Sequence, residues 1–137
     1  MNLIAIHFDG GCQPNPGHKY GSFEVLLDGR SVRKVSRMSL GFGTNNEAEF
    51  EAMIEALEWT ASALDFGGFK LADYTVKLFT DSTIVRNRVL GRNKTRKSEP
   101  QARMNALAVK ALEWLIRFKA FGIEWHGREN NVARFGH

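Results

Sequence analysis

The order of secondary-structure signals along the chain is the feature that most constrains its fold. Three β-prone segments come first, and near residue 44 the spacing of apolar side chains changes from that of a strand to that of a helix. Strand and helix signals then alternate, giving the order β-β-β-α-β-α-α-β. This order predicts an α/β protein with one mixed five-stranded sheet. Its first three strands are antiparallel, its later strands are parallel, and helices flank it.

Local signals place the boundaries of these elements. Asp28-Gly29 lies between two β-prone arms and predicts a tight hairpin. Thr44 and Glu47 have the spacing of a capping box, which places a helix start within a residue or two of Asn45. We expect strands at 3–8, in both arms of 22–36, at 74–80 and at 122–126, helices at 44–64, 82–90 and 106–118, and irregular chain at 92–101.

Composition limits the class of protein. The 137 residues suffice for one domain, which we expect to span 1–137. No apolar run approaches the roughly 20 residues of a membrane helix, and the first residues lack the basic flank of a secretion signal. A single cysteine excludes an intrachain disulfide and favours a reducing, cytoplasmic location.

The charge distribution favours a polyanionic partner. The formal net charge is +4, and the basic residues concentrate between positions 86 and 103. This cluster is either a phosphate-contacting surface or a solvated loop face, and charge alone does not decide between them. Its members are Arg86, Arg88, Arg92, Lys94, Arg96, Lys97 and Arg103.

Three carboxylates stand at the ends of predicted elements. Asp9 follows the first strand, Asp81 follows the strand 74–80, and Glu49 lies near the start of the first long helix. Singly, they could be a turn residue, a helix cap and a first-turn charge. If the first and fourth strands are parallel neighbours, the three meet at one sheet edge, where ligand sites gather. Their mutual repulsion would then be relieved by Mg²⁺, which prefers such ligands.

Three stretches carry a resemblance to a known family. FDGGCQPNPG at 8–17, TNNEAEFEAMIEAL at 44–57 and LFTDS at 78–82 occur in the order, and at nearly the spacing, of ribonuclease H of type 1. The resemblance covers about residues 3–131. It implies hydrolysis of the RNA strand of RNA–DNA hybrids by a two-metal-ion mechanism, with Mg²⁺ or, as a substitute, Mn²⁺. It also implies that Asp9, Glu49 and Asp81 are the metal ligands.

The resemblance further implies substrate and accessory roles. Backbone groups near the paired glycines would approach 2′-hydroxyls, which distinguish RNA from DNA. Asparagine amides can both donate and accept hydrogen bonds in a minor groove. The residues expected to bind substrate are Gly10, Gly11, Cys12, Asn15, Asn45, Asn46, Ser82, Thr83 and Arg128. His126 is expected to help catalysis, and either it or Arg128 could have the accessory role; each could equally be a strand-end or surface residue.

The chain departs from the family pattern after its last strand. The family has a fourth carboxylate four residues after an asparagine, and here the candidate positions are Arg134, Phe135 and Gly136. We therefore expect the C-terminal helix to be missing and binding of one metal to be weakened. The chain is either truncated before this ligand or works with three carboxylates. Glu129 could substitute for the fourth ligand, but its register is wrong.

Two alternatives to a hybrid-cleaving enzyme remain open. The chain could be a hybrid-binding module that has lost catalysis, which the missing carboxylate favours and the three remaining carboxylates oppose. It could also be a related nuclease that acts on DNA. In each case we expect no organic cofactor and no membrane partner, and we expect a monomer.

Overall fold

A computed structural model describes residues 2–90 and 99–137, and side chains except at 99–101. The strands are β1 (Leu3–Cys12), β2 (Gly17–Leu27), β3 (Arg30–Gly43), β4 (Thr75–Thr80) and β5 (Ala120–Trp125). The α-helices are α1 (Asn45–Phe66), α2 (Thr83–Val89), α3 (Glu99–Leu115) and α4 (Arg128–Phe135). A 3₁₀ turn covers Leu71–Asp73. None of the described helices is both long and apolar enough to span a membrane.

The predicted mixed sheet is confirmed. Its strand order is β3-β2-β1-β4-β5. The strands β1, β2 and β3 pair antiparallel, whereas β4 is parallel to both β1 and β5. Phe8, Phe50 and Leu78 are fully buried in a core that β1, β4 and α1 share with α3. Because β1 and β4 are parallel neighbours, their carboxyl ends open at the same edge of the sheet.

The local signals at the hairpin and at the first helix are also confirmed. Asp28 and Gly29 have φ of 47° and 86°, the left-handed values that a tight hairpin turn requires. The Thr44 hydroxyl accepts from the Glu47 amide at 3.2 Å, and the Thr44 amide donates to the Glu47 carboxylate at 3.3 Å. This reciprocal pair is the predicted capping box, and it fixes the first residue of α1.

The first strand is longer than the sequence predicts. It continues through Asp9 and both glycines to Cys12, and Asp9 pairs with Ser22 across the sheet. Glycine is a poor strand former, so the pattern predicted an end at Phe8. The backbone ladder with β2 keeps the segment extended, and the turn begins only at Gln13. Asp9 therefore lies on a strand, which holds it more rigidly than a turn would.

The expected loss of a helix after the last strand is wrong. Residues Arg128–Phe135 form α4, whose buried side chains Asn131 and Phe135 are four residues apart on one face. The segment is largely polar, so its apolar spacing gave no helical signal. On this helix, Arg134 pairs with Glu24 of β2, which alternates with the core residues Phe23 and Val25. Consequently, α4 lies on the face of the sheet opposite α1.

Part of the predicted basic cluster lies outside the described residues. Arg92, Lys94, Arg96 and Lys97 belong to 91–98, which also contains most of the segment expected to be irregular. The remainder of that segment, 99–101, begins α3 and is helical. In the described part, Arg103 lies 3.7 Å from the Glu47 carboxylate.

The close approach of α1 to β1 predicts a strong dependence on Gly10. A Cβ at Gly10 would lie 2.4 Å from the backbone of Ala48, so Gly10→Ala must push the helix away from the strand. We expect a loss of about 2 kcal/mol or more in the free energy of unfolding, measured by chemical denaturation. Gly122→Ala is the matched control, because a Cβ there meets no atom within 4 Å. Equal losses in both variants would contradict the packing argument.

Candidate active site

The structure brings Asp9, Glu49 and Asp81 together. Asp9 and Asp81 each lie two residues beyond the β1–β4 pair His7–Phe79. They are therefore level with one another at the carboxyl ends of these parallel strands. Glu49 lies on the first turns of α1, and the close approach at Gly10 brings it to the same place. One carboxylate oxygen from each of the three lies within 4.8 Å of the others.

The environment of Asp9 and Glu49 disfavours the charged forms of these two carboxylates. Asp9 and Glu49 are each only 7% exposed. Burial, followed by the charge of Asp81, raises the pKa of Asp9 to about 6. Burial, followed by the charges of Asp9 and Asp81, raises the pKa of Glu49 well above its usual value. The isolated protein therefore pays an electrostatic cost to hold three negative charges here, and a bound cation would remove that cost.

A cavity of about 480 Å³ opens beside the three carboxylates. Strand β1, the turn that follows it, the start of α1 and the last residues of the chain form its walls. Its other lining residues are Gly10, Gly11, Cys12, Gln13, Asn15, Tyr20, Asn45, Arg128 and His137. Six of the residues that the sequence predicted for substrate binding are therefore in the cavity, while Gln13, Tyr20 and His137 were missed.

Two asparagines join the turn, the strand end and the helix start. The Cys12 amide donates to Asn45 Oδ1 at 2.7 Å, and the Asn45 amide donates to Asn15 Oδ1 at 3.2 Å. The buried Cys12 thiol contacts Asn15 Oδ1 and the Gly43 carbonyl, both at 3.4 Å. Neither Asn side-chain nitrogen has a partner within the described residues. Hydrogen bonds to their Oδ1 atoms thus fix the side chains of Asn15 and Asn45. The side-chain NH₂ group of each remains able to donate to a ligand.

The hydrogen bonds at the end of β4 fix the loop that carries Asp81. The Ser82 amide donates to Thr80 Oγ1 at 3.0 Å, and the Trp125 indole nitrogen donates to the Asp81 carbonyl at 3.0 Å. Ser82 also caps α2 by accepting from the Val85 amide at 3.1 Å. The predicted substrate residue Ser82 thus has a structural role, and its exposed neighbour Thr83 starts α2.

Four predicted residues do not line the cavity: Asn46, Ser82, Thr83 and His126. Asn46 is half-buried in the first turn of α1, beside the lining residue Asn45. The His126 ring packs against Phe79, with 4.5 Å between ring centroids, and its Nδ1 is buried without a partner among the described residues. In this arrangement Arg128, rather than His126, contributes to the cavity.

The cavity residues that the sequence did not predict are brought there by tertiary contacts. Tyr20 is paired with Gly11 across β1 and β2, so it reaches the cavity only because β1 continues past Phe8. His137 Nδ1 lies 3.0 Å from Asp9 Oδ2. Burial, followed by the charge of Arg37, lowers the pKa of the His137 ring. No spacing rule applied to the sequence relates position 137 to position 9.

The candidate positions for a fourth carboxylate have other roles. Arg134 pairs with Glu24, and Phe135 is buried. Gly136 adopts φ of 79° and ends α4. The Glu129 carboxylate folds back against Gly127 at the helix start and does not line the cavity. Among the described residues, the carboxylates of the cavity are therefore those of Asp9, Glu49 and Asp81.

The chemistry of the cluster fits a hard divalent cation. Its donors are carboxylate oxygens, which Mg²⁺ and Mn²⁺ accept. Glu49 Oε2 is buried and has no hydrogen-bond partner among the described residues. A buried charged oxygen without a partner is costly, and a cation at this point would satisfy it.

Sequence comparisons relate the chain to ribonucleases H. The family model for RNase H matches residues 1–126. A protein from Mycolicibacterium smegmatis named Ribonuclease H is 39% identical over 84 residues, which is 61% of this chain and 46% of that protein. A Ribonuclease H from Maricaulis maris is 36% identical over 87 residues, 64% of this chain and 51% of that protein. The chain thus spans about half the length of these curated relatives.

Solved structures give the same relationship over nearly the whole chain. RNase H1 from the halophilic archaeon Halobacterium salinarum superposes with a TM-score of 0.76 at 30% identity, covering 94% of this chain and 89% of that chain. LC11-RNase H1, solved in complex with an RNA/DNA hybrid, superposes with a TM-score of 0.75 at 27% identity, covering 95% and 89%.

The raised pKa values predict that the metal-free protein loses stability as pH rises. The native state holds protons on Asp9 and Glu49 that the unfolded state has released. Stability therefore falls between about pH 4 and pH 6 for Asp9, and from about pH 4.5 up to its raised pKa for Glu49. In chelator at pH 7, Asp9→Asn should raise the free energy of unfolding by about 1–3 kcal/mol, and by less at pH 4.

Thermal melts at both pH values, with and without added Mg²⁺ or Mn²⁺, measure this effect. Metal should stabilise the wild type at pH 7 and stabilise Asp9→Asn much less. Asp73→Asn, at an exposed position, is the control for the charge change and should behave as the wild type. A lower stability of Asp9→Asn in chelator at pH 7 would contradict the repulsion argument.

Proposed function

Because the chain belongs to the RNase H family, we propose that it is a divalent-metal-dependent endonuclease that hydrolyses the RNA strand of RNA–DNA hybrids. The observation that carries the proposal is the cluster of Asp9, Glu49 and Asp81 beside a cavity lined by backbone and amide groups. The relative solved with an RNA/DNA hybrid supports the choice of substrate.

The three carboxylates would hold Mg²⁺, with Mn²⁺ as a substitute, and two ions would take part. When bound, such ions supply a Lewis acid for the scissile phosphate and lower the pKa of a coordinated water. The contribution of the chain is to present three carboxylate donors, buried Asp9 on β1, buried Glu49 on α1 and half-buried Asp81 directly after β4. These elements are packed in the core, so the donors need little rearrangement when a phosphate arrives.

The cavity wall would distinguish RNA from DNA. The paired glycines leave space for a sugar–phosphate backbone to approach β1. The free Asn15 and Asn45 side-chain nitrogens could donate to a 2′-hydroxyl or to a base edge. DNA has the base edges but lacks the 2′-hydroxyl. Buried Cys12 has no base partner among the described residues and would serve as a small wall residue.

Positive charge would position the phosphates of the hybrid. Arg128 lines the cavity and is exposed, so it can contact an incoming phosphate while lowering the repulsion from Asp9. Asn46, Ser82 and Thr83 are proposed to contact the flanking nucleotides, and His126 to help catalysis after a change in its packing. We expect the protein to act as a cytoplasmic monomer without an organic cofactor.

Cleavage of a labelled RNA–DNA hybrid tests the proposal directly. We expect the RNA strand to be cut in Mg²⁺ or Mn²⁺ and not in chelator. Asp81→Asn should lower the rate at least about 100-fold, because it removes a charged donor from the cluster. Asp73→Asn makes the same chemical change outside the cavity and should retain the wild-type rate.

Two outcomes of this assay would contradict the proposal. Tight hybrid binding without cutting in either metal would indicate a binding module. Equal cutting of a DNA duplex would indicate a DNA-directed nuclease. Double-stranded RNA of the same sequence is the third substrate, and it should not be cut at a comparable rate.

Replacement of Asn45 by aspartate separates its two roles. Asn45→Asp keeps the oxygen that accepts from the Cys12 amide but loses the side-chain donor that faces the cavity. We expect the Kd for the hybrid, measured in chelator by fluorescence anisotropy, to rise about 10-fold with little change in the melting temperature. Asn2→Asp adds the same charge at the opposite end of β1 and should change the Kd much less. An unchanged Kd for Asn45→Asp would show that the donor does not contact the substrate.

A further inference from the structure

The His137 ring occupies the side of the cavity that lacks a fourth carboxylate. Its Nδ1 is 3.0 Å from Asp9 Oδ2, and its side chain is only 5% exposed. The ring is not part of the cluster formed by Asp9, Glu49 and Asp81. It therefore lies to one side of that cluster, next to Asp9 Oδ2.

A left-handed turn places the ring there. Gly136 has φ of 79°, and its amide donates to the Val132 carbonyl at 2.9 Å, which ends α4. Glycine adopts this conformation without strain, and the chain consequently reverses direction after Phe135. Arg37 Nη2 donates to the Gly136 carbonyl at 3.4 Å and ties this turn to β3.

The other side of the ring is also held. Ser22 Oγ lies 2.5 Å from His137 Nε2 and accepts from the Arg37 amide at 2.9 Å. The Tyr20 ring meets the imidazole edge-on, with 4.8 Å between centroids. A serine hydroxyl has two acceptor lone pairs, so it can accept from both the Arg37 amide and an Nε2–H. In that tautomer Nδ1 carries a free lone pair, and this atom lies 3.0 Å from Asp9 Oδ2.

The spacing of the two donor atoms matches adjacent positions on a metal ion. Ligand atoms at right angles, with bonds of about 2.1 Å, are about 3.0 Å apart. The separation between His137 Nδ1 and Asp9 Oδ2 has this value. A partner hydrogen-bonded to the second ring nitrogen, here Ser22, is the usual companion of a metal-binding histidine.

We propose that His137 Nδ1 and Asp9 Oδ2 together hold a second divalent ion beside the three-carboxylate cluster. The proposal rests on the proposed function, and it assigns to a histidine the position that the family fills with a carboxylate. An imidazole nitrogen favours transition-metal ions over Mg²⁺. The second position should therefore select Mn²⁺, while the first, with oxygen donors, accepts either ion.

Direct measurement of Mn²⁺ binding tests this assignment without reference to activity. The metal-stripped protein is titrated with Mn²⁺, and the free ion is followed by electron paramagnetic resonance. We expect two bound ions in the wild type. In His137→Ala, affinity at one of them should fall at least about 10-fold. His137→Asp should keep two ions and let Mg²⁺ compete more effectively for the second.

A nitrogen signature gives an independent readout. Pulsed electron paramagnetic resonance on the Mn²⁺-loaded wild type should detect hyperfine coupling to a ¹⁴N nucleus. This coupling should be absent in His137→Ala. His18→Ala is the matched control, since His18 is exposed and its ring lies 3.0 Å from Ser39 Oγ, not in the cavity. It should bind Mn²⁺ and give the nitrogen coupling as the wild type does. Melting curves establish that each variant is folded.

The outcomes separate this inference from the proposed function. If His137→Ala binds the same number of ions with the same affinity, or if the wild type shows no nitrogen coupling, His137 is not a ligand and the inference is overturned. In that case the contact between His137 and Asp9 is an ordinary hydrogen bond, and the three-carboxylate site stands. If the wild type binds no Mn²⁺, the proposed function is overturned as well.

Discussion

The close contact between β1 and α1 is the constraint on which the arrangement of the site depends. At Gly10 the helix backbone lies so near the strand that a Cβ would be 2.4 Å from Ala48. Glu49, the next residue on the helix, is consequently delivered to the end of the strand that carries Asp9. The capping box at Thr44 fixes where the helix begins, and so fixes the turn on which Glu49 lies. A small residue in the strand and a correct helix start are thus both needed to assemble the cluster.

The buried carboxylate cluster lowers the stability of the metal-free protein and favours the binding of a cation. Burial raises the pKa values of Asp9 and Glu49 because their charged forms lose solvent and face one another. A protein selected only for stability would not retain such a cluster. The core formed by α1, β1 and β4 supplies the opposing free energy, and it keeps the carboxylates from moving apart. The same repulsion that weakens the isolated fold strengthens its attraction for a cation.

The sequence predicts those features that depend on local chemistry. The Asp28-Gly29 hairpin, the capping box and the strand–helix order are encoded in adjacent residues, and Asp9, Glu49 and Asp81 stand out at element ends. Features that depend on distant contacts were not predicted. The extension of β1 depends on pairing with β2, α4 depends on burial of Asn131 and Phe135, and the placement of His137 depends on a left-handed residue at Gly136. Each of these is decided by packing, which overrides weak local preferences.

The two sides of the cavity therefore differ in how they are built. Asp9 and Glu49 are carried by β1 and α1, and Asp81 directly follows β4. These elements share the buried core, so the relative positions of the three carboxylates are difficult to change without unfolding. His137 follows a helix of eight residues and one glycine turn, and Ser22, Tyr20 and Arg37 hold it from β2 and β3. A ligand on such a segment can be exchanged by few substitutions without disturbing the core. A substitution on this side of the site would consequently change metal selectivity with the smallest loss of folding stability.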